Sequence, residues 1–251
     1  MTLRRIRADL HIHTCLSPCG ELEMTPTSIV LTSCEKGLDV IAICDHNTAE
    51  NVIGVQRAAK RSDLTVMAGM EVATAEEVHI LGIFDTAEQA LTLQGKIYGH
   101  LLPGKNDEDL FGIQVIANEF DEVDGIEERM LIGGTTLPLE DVIDAIHAFG
   151  GLAIPSHIDR ESYSLIGQLG IVPDDLNADA LEISARGDVN VMRAIPGTDR
   201  FSFITSSDAH RLNEIGQAYT DFYIEEVNIN EMKKALNQEE ERKTSIGKAA
   251  C

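Results

Sequence analysis

The sequence predicts an α/β fold, a distorted (β/α) barrel that forms a single domain over residues 1–251. Three observations support this prediction. Short runs rich in Ile and Val recur along the chain and have the length of strands buried on both faces. Helical patterns lie between these runs, and strand and helix in alternation favour a parallel sheet covered by helices. About eight such units in a chain of this length fit a barrel better than an open sheet.

The candidate strands share a high content of aliphatic side chains and a length of a few residues. None has the roughly 20 apolar residues of a membrane-spanning helix. In chain order they are residues 6–12, 40–44, 66–72, 78–84, 152–154, 180–183, 201–205 and 218–224.

The candidate helices are marked by start and stop signals. Gly37 ends the first, Asn47-Thr48 is a capping signal before the second, and Gly150-Gly151 ends the third. The four predicted helices cover residues 27–36, 49–62, 139–149 and 230–240.

Residues 86–137 interrupt this alternation. They contain an acidic stretch at 118–128 and several glycines around weak helical patterns. We interpret them as an insertion within the domain, a small lid or cap. An ordinary pair of barrel units is the alternative, because element boundaries are hard to place from sequence. The tail at 239–251 is expected to be solvated.

The chain is strongly acidic, with 42 acidic and 20 basic residues and a formal net charge of -22. Such a surface repels a polyanion over most of its area, whereas nucleic-acid-binding proteins usually carry a basic patch. We therefore expect no long duplex nucleic acid as partner. A small phosphorylated substrate is compatible with the acidity, because bound cations would be the largest local charges in a site.

The N-terminal residues include basic side chains but no apolar run long enough for a signal peptide or a membrane span. The chain has five cysteines, an odd number, and without an export signal we interpret them as reduced thiols. The expected location is the cytoplasm, with no membrane partner.

The histidines carry most of the functional information. In a parallel barrel the C-terminal ends of the strands meet at one face, so side chains distant in sequence come together there. Neutral imidazole is the commonest protein ligand of metal ions, and together with carboxylates it suits Zn, Mn or Fe. Glu71 and Asp208 would supply the carboxylates. Six of the eight histidines stand at one end of an apolar run: His11, His13, His46, His79, His157 and His210.

The loop after the first histidine pair contains two cysteines, Cys15 and Cys19, together with Pro18 and Gly20. Residues two apart on a strand point to the same face, so His11 and His13 can bind one ion together. Thiolate is a good zinc ligand. A tight loop is the favoured interpretation of the cysteines, and ligation is the alternative.

The motifs DLHIHT, ICDHN, GMEV, a lone His before a strand, PSH and SSDAHR occur in this order. Their combination resembles the PHP (polymerase and histidinol phosphatase) family, and the resemblance covers nearly the whole chain from residue 9 to about 224, apart from 86–137. It implies a distorted seven-stranded (β/α) barrel of the PHP type. It also implies a phosphoesterase site with two or three divalent metal ions, which could be Zn, Mn or Fe.

Position by position, the resemblance implies ligands for three metal ions and the catalytic residues Glu71, Asp208 and His210. Glu71 would bridge the first two ions, since a carboxylate has two oxygens. The implied ligands are His11, His13, Glu71 and Asp208 for the first ion, Glu71, His79 and His157 for the second, and His46 and His210 for the third.

One position departs from the family pattern. Many relatives have His or Asp five residues after the second His of the pair, and this chain has Pro18 there. Cys19 and Glu21 are the nearest substitutes for the missing ligand. The prediction of a third metal ion therefore depends on one of them.

Four further residues lie close to the predicted ligands. Asp9 and Asp45 each precede a ligand histidine and are expected to orient an imidazole through its other nitrogen, with capping of a strand end as the alternative. Arg160 and Arg186 are expected to contact the substrate phosphate, because the guanidinium fork pairs with two phosphate oxygens.

The predicted activity is hydrolysis of a phosphate ester by water that the metal ions activate. No serine lies in a Gly-x-Ser-x-Gly elbow, which argues against a serine hydrolase. The expected substrate is a small phosphorylated metabolite or nucleotide. One alternative is an exonuclease acting on short 5′-phosphorylated or single-stranded oligonucleotides. An alternative of another class is a metal-binding regulatory or accessory protein without catalytic activity.

Overall fold

The computed structural model describes residues 2–249 and has an α/β architecture built on a curled sheet. The strands in this range are β1 (Arg4–Ile12), β2 (Val40–Ile43), β3 (Thr65–Ala73), β4 (His79–Phe84), β5 (Val115–Ala117), β6 (Val123–Ile126), β7 (Leu152–Pro155), β8 (Leu181–Ile183), β9 (Phe203–Thr205), β10 (Ala218–Ile224) and β11 (Lys243–Lys248). The helices are α1 (Pro26–Glu35), α2 (Val52–Ala58), α3 (Ala87–Tyr98), α4 (Glu108–Phe111), α5 (Leu139–Ala148), α6 (Leu165–Leu169), α7 (Val189–Arg193) and α8 (Ile229–Leu236).

The main sheet has seven strands in the order β11-β10-β1-β2-β3-β4-β7. Its centre, β1, β2 and β3, is parallel, whereas β4 is antiparallel to both of its neighbours and β10 and β11 add an antiparallel edge. β8 and β9 form a separate parallel pair.

The β8–β9 pair lies between β7 and β1. On one side, Ile158 N after β7 donates to Glu182 O at 2.9 Å, and on the other, His13 N after β1 donates to Ala209 O at 3.0 Å. The strands β1, β2, β3, β4, β7, β8 and β9 thus surround the core. This confirms the predicted distorted seven-stranded barrel.

The predicted all-parallel arrangement is wrong at β4. Only residues 74–78 link β3 to β4, and a parallel connection needs a crossover of a dozen or more residues. The chain therefore turns back as a hairpin. Residues 243–248 of the tail that was predicted to be solvated form β11, which pairs antiparallel with β10 and has no buried residue; the last two residues of that tail lie outside the described range.

The buried aliphatic side chains form two hydrophobic clusters, and alternate strand residues contribute to each. On β2, Ile41 and Ile43 belong to a cluster that includes residues of α1, α2, α3 and α5, whereas Val40 and Ala42 belong to one that includes α8. This division follows from the two-residue period of a strand. It explains why β2 is apolar throughout, the pattern by which it was predicted.

Residues 86–137 begin with a helix that packs on the barrel. Leu93 and Ile97 of α3 are fully buried. The chain then forms the short α4 and the β5–β6 hairpin. Asn47, next to His46, ties the end of this segment to the barrel mouth by donating to Leu131 O at 2.9 Å and Gly133 O at 2.8 Å. The interpretation as an insertion or lid stays a prediction.

Membrane insertion through a helix finds no support in residues 2–249. Every helix in this range is too short or too polar to cross a bilayer.

Candidate metal centre

The eight predicted metal ligands meet at one end of the barrel. Each lies in or just beyond a barrel strand, which is how the fold brings positions 11 to 210 together. His210 is half-buried. The other seven are buried: His11, His13, His46, Glu71, His79, His157 and Asp208.

Glu71 on β3 is the centre of this group. Its Oε1 lies 3.1 Å from His79 Nδ1 and 3.2 Å from His157 Nε2. Its Oε2 lies 3.1 Å from His46 Nδ1 and 3.4 Å from His11 Nε2. The two carboxylate oxygens therefore face two different sets of imidazoles, an arrangement suited to a carboxylate that bridges two cations.

A first potential cation site lies between β1 and the loop after β9. His13 Nε2 is 3.1 Å from Asp208 Oδ1 and 3.1 Å from His11 Nε2. Glu71 Oε2 is 3.5 Å from the same nitrogen of His13. Two imidazoles and two carboxylates thus converge, as the resemblance implied for the first metal ion.

A second group contains a thiol, that of Cys19. One ligand atom each from His13, Cys19, His46 and His210 lie within 4.8 Å of one another. Glu21 does not join them, because its carboxylate pairs with Arg211 at 2.9 Å and is about half exposed. Of the two substitutes for the ligand lost at Pro18, the structure places Cys19 at the site and directs Glu21 away.

The carboxylates at the centre are ionised. Burial raises the pKa of Glu71, but the surrounding imidazoles, with His79 the strongest, outweigh it and hold the pKa well below its usual range. Burial acts in the same way on Asp208, and His11 and His13 again lower its pKa well below the usual range. Both groups therefore present negative charge to a cation.

The imidazoles differ in protonation. Burial and the neighbouring His210 lower the pKa of His13 to about 4, and burial lowers the pKa of His46 well below its usual range. Burial lowers the pKa of His11 too, but Asp208, Glu182 and Glu71 outweigh it and raise the pKa. His13 and His46 are thus in the neutral form that binds metal ions, and a cation at His11 would displace a proton.

Glu182 on β8 is a contributor that the sequence analysis missed. Its Oε2 accepts hydrogen bonds from His11 Nδ1 at 3.0 Å and from His157 N at 3.1 Å. The side chain is 1% exposed. It fixes which nitrogen of His11 faces the centre. The available signal was a single acidic residue inside the apolar run ALEI.

Asp45 reaches the His13 imidazole through Ser17. Ser17 Oγ donates to Asp45 Oδ1 at 2.7 Å and lies 2.9 Å from His13 Nδ1. Asp45 also accepts from Thr14 N and its hydroxyl at 2.7 and 2.8 Å. Its place is consistent with the predicted orienting role, with a serine as intermediary.

Asp9 does not orient an imidazole by a hydrogen bond within residues 2–249. Its two oxygens accept from Ser207 N and Gly216 N, each at 2.9 Å. Asp9 thereby holds both ends of the loop that carries Asp208 and His210. The physical reason is that backbone amides of the neighbouring loop need an acceptor, which the fully buried carboxylate of Asp9 within β1 supplies.

Two of the predicted ligands have strained backbones. His157 has a φ of 31° and Asp208 a φ of 52°, in the left-handed region that side chains other than glycine rarely adopt. Asn47, next to His46, has a φ of 55°. Such strain collects at functional sites, where the surroundings enforce it.

A cavity of about 930 Å³ opens over the centre and is lined by Glu71, His79, His157, Asp208 and His210. Both predicted phosphate contacts also line it, and the Arg160 guanidinium pairs with the Asp208 carboxylate. A neighbouring cavity of about 690 Å³ shares Arg160 and Arg186 and continues to Arg211. The two cavities form a groove longer than a single phosphate group.

Comparison with known proteins identifies two matching family models. The model of the PHP domain matches residues 9–164, and that of the PHP-associated region matches residues 200–240. An uncharacterized Bacillus subtilis protein, YqxK, is 25% identical over 96% of this chain and 64% of its own length. A 5′-3′ exoribonuclease of Haemophilus influenzae is 32% identical, but over only 34% of this chain and 31% of its own length.

Two solved structures share the fold. Endonuclease Q, in complex with a 27-mer duplex substrate that has an abasic lesion at the active site, matches with a TM-score of 0.68 and 19% identity over 96% of this chain and 58% of that chain. A protein from Bifidobacterium adolescentis, assigned as a metal-dependent phosphoesterase, matches with a TM-score of 0.56 and 18% identity over 81% and 87%. The chain thus spans 64% of the length of YqxK and 58% of the length of Endonuclease Q.

The exclusion of long duplex nucleic acid, in favour of a small phosphorylated substrate, is wrong. A protein of the same fold holds a duplex substrate at its active site. Net charge sums over the whole surface, whereas binding depends on the local field of a cleft. Here Arg160, Arg186 and Arg211 line one groove, and cations at the centre would add positive charge.

Proposed function

The chain belongs to the PHP domain family of metal-dependent phosphoesterases, and on that basis we propose that it is a nuclease that hydrolyses a phosphodiester bond in nucleic acid. The observation that carries the proposal is the convergence of six imidazoles and the Asp208 carboxylate around Glu71, beneath a groove to which arginines contribute. Metal-activated hydrolysis at a phosphate needs these two components together.

The donor set fits two or three divalent cations. Imidazoles with carboxylates suit Zn, Mn or Fe. The first cation would be held by His11, His13, Glu71 and Asp208, and the second by Glu71, His79 and His157. Consistent with this, Glu71 Oε1 lies 3.1 Å from His79 Nδ1 and 3.2 Å from His157 Nε2, so the donor atoms of the second set lie together. When bound, the cations would lower the pKa of water and neutralise charge on the phosphate and the leaving oxygen.

A third cation would be held by His46 and His210. Cys19 would replace the ligand that the family usually has at the position of Pro18. His210 Nδ1 donates to the Asp208 backbone carbonyl at 2.8 Å, so its neutral form leaves the Nε2 lone pair for a cation. Cys19 is exposed at the rim of the cavity and can reach an ion from the solvent side.

The catalytic roles follow from the same contacts. Glu71 and Asp208, both ionised, hold the reacting centre together, and His210 completes it from the loop after β9. Arg160 lies beside Asp208 with its guanidinium half exposed. It would exchange this partner for the substrate phosphate, whose two oxygens fit the guanidinium fork.

Two considerations favour nucleic acid over a small ester. The neighbouring cavity extends the site from the centre towards Arg211, which leaves room for more of a substrate than one phosphate group. The proteins that the chain resembles include an exoribonuclease and a lesion-specific endonuclease. The kind of nucleic acid, and whether cleavage is internal or from a 5′ end, distinguish two versions of the proposal.

A substrate panel tests the proposal. Purified protein would be supplied with Mn²⁺, Zn²⁺ or Fe²⁺ and assayed on 5′-phosphorylated single-stranded RNA and DNA, on duplex DNA with an abasic site, and on p-nitrophenyl phosphate. We expect cleavage of at least one oligonucleotide, abolished in Glu71→Gln and His157→Ala and retained in His147→Ala, whose side chain pairs with Asp179 outside the centre.

Turnover of the phosphomonoester alone would reject nucleic acid as the substrate. Absence of turnover with every metal, in protein that binds metal ions, would favour the alternative of a regulatory or accessory protein.

A further inference from the structure

We propose that the ring of Tyr163 is a stacking platform for the nucleobase beside the scissile phosphate, an inference that rests on the proposed nuclease function. Tyr163 lies in the loop between β7 and α6. Its ring packs on the His79 ring with centroids 4.8 Å apart and an interplanar angle of 23°, yet 48% of the residue is exposed. The ring is therefore positioned by one contact and open to another.

The position of the ring relative to the centre is fixed. His79 Nδ1 lies 3.1 Å from Glu71, so one imidazole separates the Tyr163 ring from the bridging carboxylate. His79 N also donates to Tyr163 O at 3.0 Å. A base stacked on this ring would lie next to a phosphate held at the centre.

The backbone of Tyr163 is strained, with a φ of 56°. A bulky residue is an outlier in this region, and such strain persists where the surroundings enforce it, typically at functional sites. The Tyr163 hydroxyl makes no hydrogen bond in the part of the chain that the structure describes. Neither the backbone nor the hydroxyl therefore accounts for a tyrosine here, which leaves the ring face.

Tyr163 also stands between two cavities. It lines the 930 Å³ cavity, where Arg160 and Arg186 are placed for phosphate, and it lines an adjoining cavity of about 230 Å³ together with Leu102 and Ile132. A nucleotide joins a charged phosphate to a flat, largely apolar ring system. The two arginines lie in the larger cavity, and the adjoining cavity, which Glu77 and Thr135 line together with Leu102 and Ile132, leaves space beside the Tyr163 ring for the ring system of a base.

The aromatic content makes this residue distinctive. The chain has four Tyr, seven Phe and no Trp. Among the described residues, Tyr163 is the only Tyr or Phe that lines the 930 Å³ cavity. Stacking on an aromatic side chain accepts every base, because each base has a π face. The platform would thus position nucleotides without selecting a sequence.

The test crosses enzyme variants with substrate variants. Tyr163→Leu removes the ring, Tyr163→Phe keeps it, and Phe120→Leu removes an aromatic ring that is 73% exposed and lies outside both cavities. Each protein is assayed on an oligonucleotide that the wild type cleaves and on versions in which one nucleotide near the cleavage site is abasic. Metal content is measured in parallel to verify that the His79 environment is intact.

We expect Tyr163→Leu to raise KM by about 5- to 150-fold on the complete oligonucleotide, the range for loss of one stacked base. On the version that lacks the stacked base, wild type and Tyr163→Leu should have equal KM, and Tyr163→Phe should restore the dependence on that base. Phe120→Leu should behave as wild type.

Equal loss on complete and abasic substrates would show that Tyr163 only supports His79 and would overturn the platform. If the wild type cleaves oligonucleotides and Tyr163→Leu has the same KM as the wild type, the platform is also overturned, but the nuclease function stands. Wild-type protein without nuclease activity would instead reject the proposed function.

Discussion

Replacing Glu182 should weaken metal binding although this residue is not itself a proposed ligand. Its Oε2 accepts from His11 Nδ1 and from His157 N, at 3.0 and 3.1 Å. In Glu182→Gln the remaining carbonyl oxygen can accept both hydrogen bonds, so the change removes the charge and keeps the geometry. The amide group would take the place of Oε1, which is buried without a partner among residues 2–249.

The magnitude follows from the loss of charge. A hydrogen bond to a charged group contributes about 1.5–3 kcal/mol and a neutral one about 0.5–1.5 kcal/mol. The difference, about 1–1.5 kcal/mol, corresponds to roughly ten-fold weaker binding of the cation at His11. Loss of the partner of a metal-binding histidine typically lowers affinity 10- to 100-fold. Glu182→Ala, which removes both hydrogen bonds, should lie towards the upper end.

Calorimetric titration of metal-free protein with Mn²⁺ or Zn²⁺ measures this effect. Glu231→Gln is the control, because Glu231 is also buried but pairs with Arg242 in a separate ion-pair group. It should lower thermal stability and leave metal affinity unchanged. Metal affinities in Glu182→Gln and Glu182→Ala equal to that of the wild type would refute the assignment of Glu182 as the residue that orients His11.

Three further predictions concern Cys19, the partly buried carboxylate of Asp179 and the core. Cobalt-substituted wild-type protein should show a thiolate-to-cobalt absorption band in the near ultraviolet that Cys19→Ser lacks; its absence from wild type would remove Cys19 from the third site. Burial raises the pKa of Asp179, but the hydrogen bond from His147 and the other partners outweigh burial and lower the pKa. The ionised carboxylate therefore stabilises the fold above the pKa of Asp179 in the unfolded chain, and this stabilisation is lost as pH falls through the pKa in the folded chain. In urea unfolding at neutral pH, Asp179→Asn should therefore lower the free energy of unfolding by about 1–3 kcal/mol. This difference should shrink as pH falls below about 4 and vanish only below the lowered pKa of folded Asp179, and a difference that stays constant through this range would contradict the prediction. Leu93→Ala on α3 should lower the free energy of unfolding by about 2–5 kcal/mol. Leu110→Ala should change it by almost nothing, because Leu110 is 73% exposed, and equal losses would contradict the packing of α3 on the barrel.

The sequence could predict the barrel strands because they are buried on both faces and therefore read as continuous apolar runs. All eight predicted strands are present. The missed strands β5, β6 and β11 are short or largely exposed, so their sequences do not form a long apolar run. The reversed direction of β4 depends on the length of one connection, and apolar patterning contains no information about direction.

The helices show the same limit. α1, α2, α5 and α8 were predicted from their caps and stops and are present, although α2 is shorter than predicted. α6 and α7 are five residues each, too short for a periodic pattern to appear. α3 has a full capping box at Thr86, but it lies in the segment interpreted as an insertion.

The candidate site was predictable where ligands stand at strand ends, since the barrel brings all such positions to one face. The choice between Cys19 and Glu21 was not, because both lie in one loop and only its folded path decides which one faces His46 and His210. Glu182 was missed because it lies inside a strand and not at its end. A buried carboxylate inside an apolar run becomes recognisable only when its partners, His11 and the amide of His157, are known.

The central claim is that Glu71 bridges cations gathered by strand-end histidines. Anomalous diffraction from crystals grown with Zn²⁺ or Mn²⁺ tests it most directly. We expect at least two anomalous peaks, each within coordination distance of a different oxygen of Glu71. A crystal that shows no peak beside Glu71, or whose peaks lie only at surface carboxylates, would contradict the claim.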